Sequence, residues 1–264
     1  MSINICIERE TIMITDMNFE QRSLLFAKLA SIAYSDDTKQ VKKDAKALGF
    51  TTIEFYNNGG AQAYRFMNKA DIVIACRGTQ PNEFNDIKAD LKAAPVMAET
   101  VGRVHVGFKT EVDELWPMVM EDLRECGKKR TAWFCGHSLG AAMTTIMASR
   151  CEDDPLMPNI AEVYTYGSPR TGWRKFIKSL NCKHQRWVNN NDIVTRVPLA
   201  IMGYKHDGCE HYMDSNGDYK PNLKGTRRVK DRWRGMWMGL KQGGIDNFSD
   251  HSMTNYIANL EKLQ

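Results

Sequence analysis

The chain has 264 residues, 42% of them apolar and 26% charged, with a formal net charge of +4 at pH 7. These are ordinary values for a globular protein, and they exclude a disordered or fibrous chain. The charge falls short of a nucleic-acid-binding footprint, so we expect no nucleic acid partner, although it permits contact with anionic surfaces. No segment approaches the roughly 18 consecutive apolar residues of a membrane span, and we expect no transmembrane segment.

The N-terminal segment 1–16 carries scattered charges and lacks the apolar stretch of a secretory signal peptide. It contains no motif, and we interpret it as a disordered or alternative-start segment, since Met17 offers a second start. The seven cysteines are odd in number and spread along the chain, which favours free thiols in a reducing compartment. We therefore expect a cytoplasmic protein, with secretion without a recognisable signal peptide as the alternative.

The first part of the chain predicts one helix and three strands. Apolar residues recur at helical spacing from Phe19 to Tyr34. Segments 51–57 and 61–68 have the pattern of two strands, and the turn Asn57-Asn58-Gly59-Gly60 between them indicates a hairpin. The short apolar run Asp71–Cys76 suits a buried strand.

Helices and strands alternate in the rest of the chain. Helical patterns cover 110–126, 141–151 and 249–263, and strand patterns cover 131–135, 161–167 and 184–189. Pro117 either bends the first of these helices or marks its true start, and Ser249 is the expected N-cap of the last one. The alternation predicts a single α/β domain over residues 1–264, with a mostly parallel sheet that the early hairpin makes antiparallel in one part.

The stretch Gly136-His137-Ser138-Leu139-Gly140 lies between a predicted strand and a predicted helix. A serine Oγ is a poor nucleophile unless it is exposed with a base beside it, and a sharp strand-to-helix turn lifts it above the sheet edge. Side chains two places before and after the serine would collide there, so glycine fills both places. The pattern alone also fits a tight turn with a surface serine, but its strand–turn–helix context favours a nucleophile.

Ser138 needs an imidazole base and a carboxylate that orients it, and in α/β-hydrolases both follow the serine in the chain. Asp192 lies on a polar loop just after the strand 184–189, although an ordinary Asn/Asp turn also suits that composition. His251 lies near the predicted start of the last helix, where its ring can project toward a strand end. We therefore expect Ser138, Asp192 and His251 to be the catalytic residues.

His206 and His211 also follow the serine and lie close to Cys209. A zinc site is the alternative interpretation of this group. It is disfavoured because the ligands would lie on one strand with no second pair elsewhere. We expect no metal and no cofactor.

Eight stretches between residues 71 and 260 resemble the class 3 lipases, the fungal-type lipase family of α/β-hydrolases. They occur in the family's order: IVIACRGTQ, ADLKAAPV, GRVHVGF, CGHSLGAAM, VYTYGSPRTG, RWVNNNDIVTRVP, YKHDGCEHY and DHSMTNYI. The resemblance implies an α/β-hydrolase fold, with helices on both faces of the sheet and a short helical lid, and a triad of Ser138, Asp192 and His251. It also implies an oxyanion hole formed by Thr79, through its backbone N–H and hydroxyl, and by the backbone N–H of Leu139.

The family's lid region corresponds to residues 80–96. Phe84, Ile87 and Leu91 fall on one helical face of this segment, while acidic and basic residues dominate the rest. This composition is more polar than a lid that shelters a large apolar surface. We therefore expect a weak lid.

Segment 224–241 carries seven basic residues against one acidic residue, together with Trp233 and Trp237 at helical spacing. A basic amphipathic helix with tryptophan is typical of peripheral contact with an anionic lipid surface. A helix that packs its tryptophan face against the domain is the alternative, and the family carries a helix near this position.

These observations predict a serine carboxylic-ester hydrolase, and the preferred interpretation is a lipase that acts on acylglycerols. A phospholipase A1 or a short-acyl esterase would use the same residues and is the alternative within enzymes. A lipase-like binding module that has lost catalysis is the alternative outside them. The expected partners are a lipid or ester substrate and, peripherally, a lipid surface.

Overall fold

The computed structural model describes residues 13–78, 94–221 and 249–264. The strands are β1 (Thr52–Asn58), β2 (Ala61–Met67), β3 (Asp71–Cys76), β4 (Pro95–Met97), β5 (Arg103–His105), β6 (Thr131–His137), β7 (Ile160–Tyr166), β8 (Gly172–Trp173), β9 (Lys183–Asn189), β10 (Tyr204–Lys205) and β11 (Cys209–Met213). The helices are α1 (Phe19–Ile32), α2 (Thr38–Ala47), α3 (Val106–Cys126), α4 (Leu139–Asp153), α5 (Arg174–Ser179) and α6 (Met253–Glu261).

Seven strands form the central sheet in the order β1-β2-β3-β6-β7-β9-β11. Strands β3, β6, β7, β9 and β11 run parallel to one another, and β2 is antiparallel to both of its neighbours. The mostly parallel sheet and the antiparallel hairpin are therefore as the sequence predicts. Four short strands form a second antiparallel sheet in the order β10-β8-β5-β4, which the sequence analysis missed because each has only two or three residues.

The central sheet is covered by helices on both faces. Successive residues of β3 point to opposite sides, so Ile72 and Ile74 join one core with α3 and α4, while Val73 joins the other with α1 and α6. All six residues of β3 are buried, which explains why its sequence is a continuous apolar run rather than an alternating one. No helix in the described ranges is long and apolar enough to cross a membrane.

Two helices start at other residues than the sequence predicts. Helix α3 starts at Val106, and His105 caps it by accepting a hydrogen bond from the Gly107 N–H, so Pro117 lies well inside the helix and does not mark its start. Ser249 is not the N-cap of α6. Ser252 fills that place and accepts from the Thr254 N–H, because residues Ser249–His251 form a separate 3₁₀ turn before the helix.

Candidate active site

Two of the candidate catalytic residues follow the ends of parallel strands of the central sheet. Ser138 comes directly after β6, and Asp192 lies on the loop after β9. Strand β7 lies between them, and the Ser138 N–H donates to the carbonyl of Tyr166, its last residue, at 3.0 Å. Carboxyl ends of parallel strands share one edge of a sheet, which is where open α/β sheets bind their ligands.

Ser138 occupies a backbone conformation that side-chain-bearing residues rarely adopt, with φ 58° and ψ −131°. A Cβ on Gly136 would lie 2.5 Å from the Gly140 carbonyl oxygen, and a Cβ on Gly140 would overlap the backbone of Cys76 and Arg77. Glycine at these two positions is therefore a packing requirement of the strand–turn–helix connection. Leu139 is the first residue of α4, so its N–H is one of the donors that a helix start leaves without an intrahelical acceptor.

Asp192 and His251 are joined by a hydrogen bond of 2.9 Å between Asp192 Oδ2 and His251 Nδ1. The carboxylate is fully buried, and its second oxygen accepts from the Val194 N–H at 3.0 Å. A carboxylate that accepts at Nδ1 fixes the imidazole tautomer that leaves Nε2 able to take a proton.

Tyr256 was missed by the sequence analysis. Its hydroxyl donates to Asp192 Oδ2 at 2.7 Å and accepts from the Asn189 N–H at 3.0 Å. Burial, followed by the nearby Asp192 carboxylate, raises the pKa of Tyr256 well above its ordinary value, so the hydroxyl stays a donor. Its position on α6, five residues after His251 in the chain, was the available sign of this role.

The asparagine run before Asp192 anchors the segment that carries His251. The Asn189 side chain donates to the Asp250 backbone carbonyl at 2.9 Å. The Asn190 side chain and the Asn191 N–H donate to the Asp250 carboxylate at 3.1 and 3.2 Å. The loop that holds the carboxylate therefore also positions the imidazole.

Gly167 is a second residue that the sequence analysis missed. It has φ 59°, and a Cβ there would lie 2.7 Å from both Asp192 Oδ2 and His251 Nδ1. Only glycine leaves room for the carboxylate–imidazole pair at this position. The glycine at the end of the predicted strand 161–167 was the sign that could have found it.

Ser138 Oγ is buried and makes no hydrogen bond to residues in the described ranges. Hydrogen bonds between catalytic residues are often long or poorly aligned when no substrate is bound, so the missing bond at Ser138 Oγ does not argue against its role as a nucleophile. Thr79, the lid candidates Phe84, Ile87 and Leu91, and the basic segment 224–241 lie outside the described residues.

His206 and His211 are held by other partners. His206 Nε2 bonds the Thr195 carbonyl at 2.7 Å, and the ring of His211 bonds Gln185 and Tyr219 at 2.7 and 2.8 Å. No group of three or more potential metal ligands occurs among residues 13–78, 94–221 and 249–264. Burial, followed by Arg186, lowers the pKa of His206 to about 2 and that of His211 to about 4.

Residues 73–202 match the family model of "Lipase (class 3)". This segment of the chain belongs to the class 3 lipase family. The family assignment made from the eight sequence stretches is thereby confirmed.

Three relatives illustrate this membership. The chain is 34% identical over 196 residues to Toxin TseL of Vibrio cholerae, covering 59% of this chain and 30% of the relative. It is 26% identical over 186 residues to secreted mono- and diacylglycerol lipase 1 of Fusarium solani, covering 66% of this chain and 53% of that relative. The structure of Rhizomucor miehei triacylglyceride lipase matches with a TM-score of 0.62 at 22% identity, covering 75% of this chain and 81% of that one.

The structural match confirms the predicted α/β-hydrolase fold. The chain spans about half or less of the length of these two curated relatives.

Proposed function

We propose that the chain is a serine carboxylic-ester hydrolase that acts on acylglycerols. The observation that carries this proposal is the hydrogen bond between His251 and the buried Asp192 beside the strained turn of Ser138. An imidazole held by a buried carboxylate next to such a serine is the arrangement that acyl transfer requires.

In this proposal, Ser138 Oγ attacks the ester carbonyl while His251 Nε2 takes its proton. Asp192 keeps the Nδ1 proton in place and stabilises the imidazolium. The backbone N–H of Leu139, with Thr79, donates to the oxyanion of the tetrahedral intermediate. His251 then returns the proton to the departing alcohol. A water molecule, activated in the same way, releases the fatty acid from the acyl-enzyme.

The acylglycerol substrate class is supported by the names of the relatives, which include a mono- and diacylglycerol lipase and a triacylglyceride lipase. A phospholipase A1 and a short-acyl esterase would use the same residues. Initial rates on a panel of mono-, di- and triacylglycerols, phosphatidylcholine and short-chain p-nitrophenyl esters separate the three. Higher kcat/KM on acylglycerols supports the proposal, and a preference for the phospholipid or for the shortest acyl chains contradicts the substrate class.

The same panel tests the enzymatic function itself when it is run with Ser138→Ala. Loss of every activity in a variant that keeps the wild-type melting temperature supports the serine hydrolase. A wild-type protein that hydrolyses no ester in the panel, and that reacts with no fluorophosphonate, is instead a binding module.

A lipid surface is the proposed peripheral partner. The 3₁₀ turn Ala200–Met202 follows the Asp192 loop, and Ile201 is 92% and Leu199 55% exposed. Apolar side chains this exposed gain by leaving water, and the basic segment 224–241 supplies charge that favours anionic headgroups. Replacing both Leu199 and Ile201 by Ser should weaken sedimentation with anionic vesicles without changing turnover of a soluble ester. Unchanged vesicle binding contradicts this surface.

A further inference from the structure

A second imidazole lies beside the candidate base. The ring centroids of His137 and His251 are 4.4 Å apart, and their planes are tilted by 32°. His137 Nε2 lies 2.7 Å from the backbone carbonyl oxygen of His251, and the whole residue is buried. The proposed reaction gives His137 no chemical step.

The partners of His137 determine which of its nitrogens carries the proton. A carbonyl oxygen only accepts, so Nε2 must donate to His251. The other nitrogen, Nδ1, then accepts from the Tyr34 hydroxyl at 2.8 Å. Burial, followed by the nearby His251, lowers the pKa of His137 well below its ordinary value, and burial raises that of Tyr34, so both groups stay neutral.

Tyr34 also contacts the strand end that leads to Thr79. A Cβ on Gly78 would collide with the Tyr34 hydroxyl and would lie 3.1 Å from Ser138 Cβ. The Tyr34 hydroxyl is thus in contact with Gly78, the residue before the proposed oxyanion donor Thr79. Through His137, it is also linked to the backbone of the proposed base, His251.

We propose that Tyr34 and His137 form a positioning unit, in which the neutral His137 holds the His251 backbone while Tyr34 holds the His137 ring. The inference rests on the proposed ester hydrolysis and deepens it. The unit touches neither the reacting carbonyl nor the transferred proton. It sets where the His251 ring stands relative to Ser138, and its loss should therefore lower kcat rather than raise KM.

Three variants test the unit on a soluble short-chain ester. Tyr34→Phe removes one hydroxyl and should lower kcat about tenfold, the effect of one lost hydrogen bond. His137→Leu removes the donor and should lower kcat about 10²-fold, the cost of a reacting group misplaced by about 1 Å. His137→Gln keeps an N–H that can reach the His251 carbonyl and should recover about tenfold over the leucine variant. KM should stay near its wild-type value in all three.

Two matched controls lie away from the site. Tyr164→Phe removes another buried hydroxyl, which donates to the Glu162 carboxylate at 2.7 Å. His211→Leu removes another imidazole that is hydrogen-bonded to a tyrosine, Tyr219. Both should lower the melting temperature and leave kcat unchanged.

The positioning unit is contradicted if Tyr34→Phe has the wild-type kcat, or if His137→Gln is no more active than His137→Leu. Neither result contradicts the proposed ester hydrolysis. If His137→Leu does not fold, the comparison of kcat between Tyr34→Phe and the control Tyr164→Phe decides. A wild-type protein that neither turns over an ester nor reacts with a fluorophosphonate overturns the proposed function, and the positioning unit with it.

Discussion

The Tyr256 hydroxyl and the His251 imidazole share one oxygen of Asp192, at 2.7 and 2.9 Å. A carboxylate oxygen that accepts two hydrogen bonds has little freedom to rotate, so the tyrosine fixes the direction from which the histidine is held. Both residues come from the last segment of the chain, and Asp192 comes from the loop after β9. The packing of α6 against the domain therefore determines the geometry of the pair.

Tyr256→Phe removes this second hydrogen bond while preserving the shape of the ring. We expect kcat to fall about tenfold, and the free energy of unfolding to fall by about 1–3 kcal/mol because the buried Asn189 N–H also loses its acceptor. Steady-state kinetics and urea unfolding measure the two effects. Tyr164→Phe is the matched control, since its hydroxyl also donates to a carboxylate at 2.7 Å, that of Glu162. A Tyr256→Phe variant with wild-type kcat would show that Asp192 needs no second donor.

Gly167→Ala places a methyl group against the Asp192–His251 pair. Because that Cβ would lie 2.7 Å from an atom of each residue, we expect the pair to separate and kcat to fall about 10²-fold or more. Gly49→Ala imposes a similar backbone strain, at φ 93°, with nothing within 4 Å of the added carbon. If Gly167→Ala and Gly49→Ala lose the same activity, the loss comes from general destabilisation of the fold and not from the contact of the added methyl group with Asp192 and His251.

His251→Ala should be nearly as damaging as loss of the serine, about 10⁶-fold in kcat, because residues of a triad act as a unit. His206→Ala and His211→Ala should instead lower stability, since both rings are hydrogen-bonded within the fold. Activity assays paired with melting temperatures separate the two kinds of loss. The assignment of His251 as the base is wrong if His251→Ala retains ester hydrolysis while a stably folded His211→Ala has none.

The stability of the fold should depend on pH through its buried histidines. With a pKa of about 2 in the folded state, His206 stays neutral where an unfolded-state histidine, of pKa about 6.5, becomes protonated. The unfolded state therefore binds more protons below pH 6.5, and each such group removes up to about 1.4 kcal/mol of stability per pH unit as the pH falls. Above pH 6.5 this contribution to the slope is absent.

Unfolding free energies between pH 7 and pH 5 measure this dependence. His206→Gln cannot take up the proton in either state, so its stability should fall less steeply with pH than that of the wild type. Parallel pH profiles for the two proteins would mean that His206 titrates normally in the folded state.

The sequence predicts the central features of the fold because the central strands, such as β3 and β6, are buried on both faces. The run 72–76 is apolar throughout, and the elbow glycines follow from steric overlap within the turn that carries Ser138. The predicted N-cap at Ser249 was wrong, and of the two roles considered for Pro117 the helix start is excluded, because each residue type has two common roles. Serine caps helices and also starts 3₁₀ turns, while proline inside a long helix is tolerated when packing supports it.

The supporting residues of the site were not predictable from local pattern. Tyr256, Gly167 and the Asn189–Asn191 run act through contacts with residues distant in the sequence. Periodicity reports which face of an element is buried, but it does not report which hydroxyl reaches which carboxylate. Thr79 and the lid candidates fall outside the described residues, and their roles stay predictions.

The central claim is that Ser138 is the nucleophile of an ester hydrolase, and reaction with a fluorophosphonate followed by mass spectrometry tests it most directly. We expect the wild type to gain one adduct, located on the peptide that contains Ser138, with ester hydrolysis lost in proportion to labelling. Ser138→Ala should gain none and should retain on the order of 10⁻⁶ of the wild-type kcat. An adduct on another residue, together with hydrolysis by Ser138→Ala above about 1% of the wild-type rate, would contradict the account.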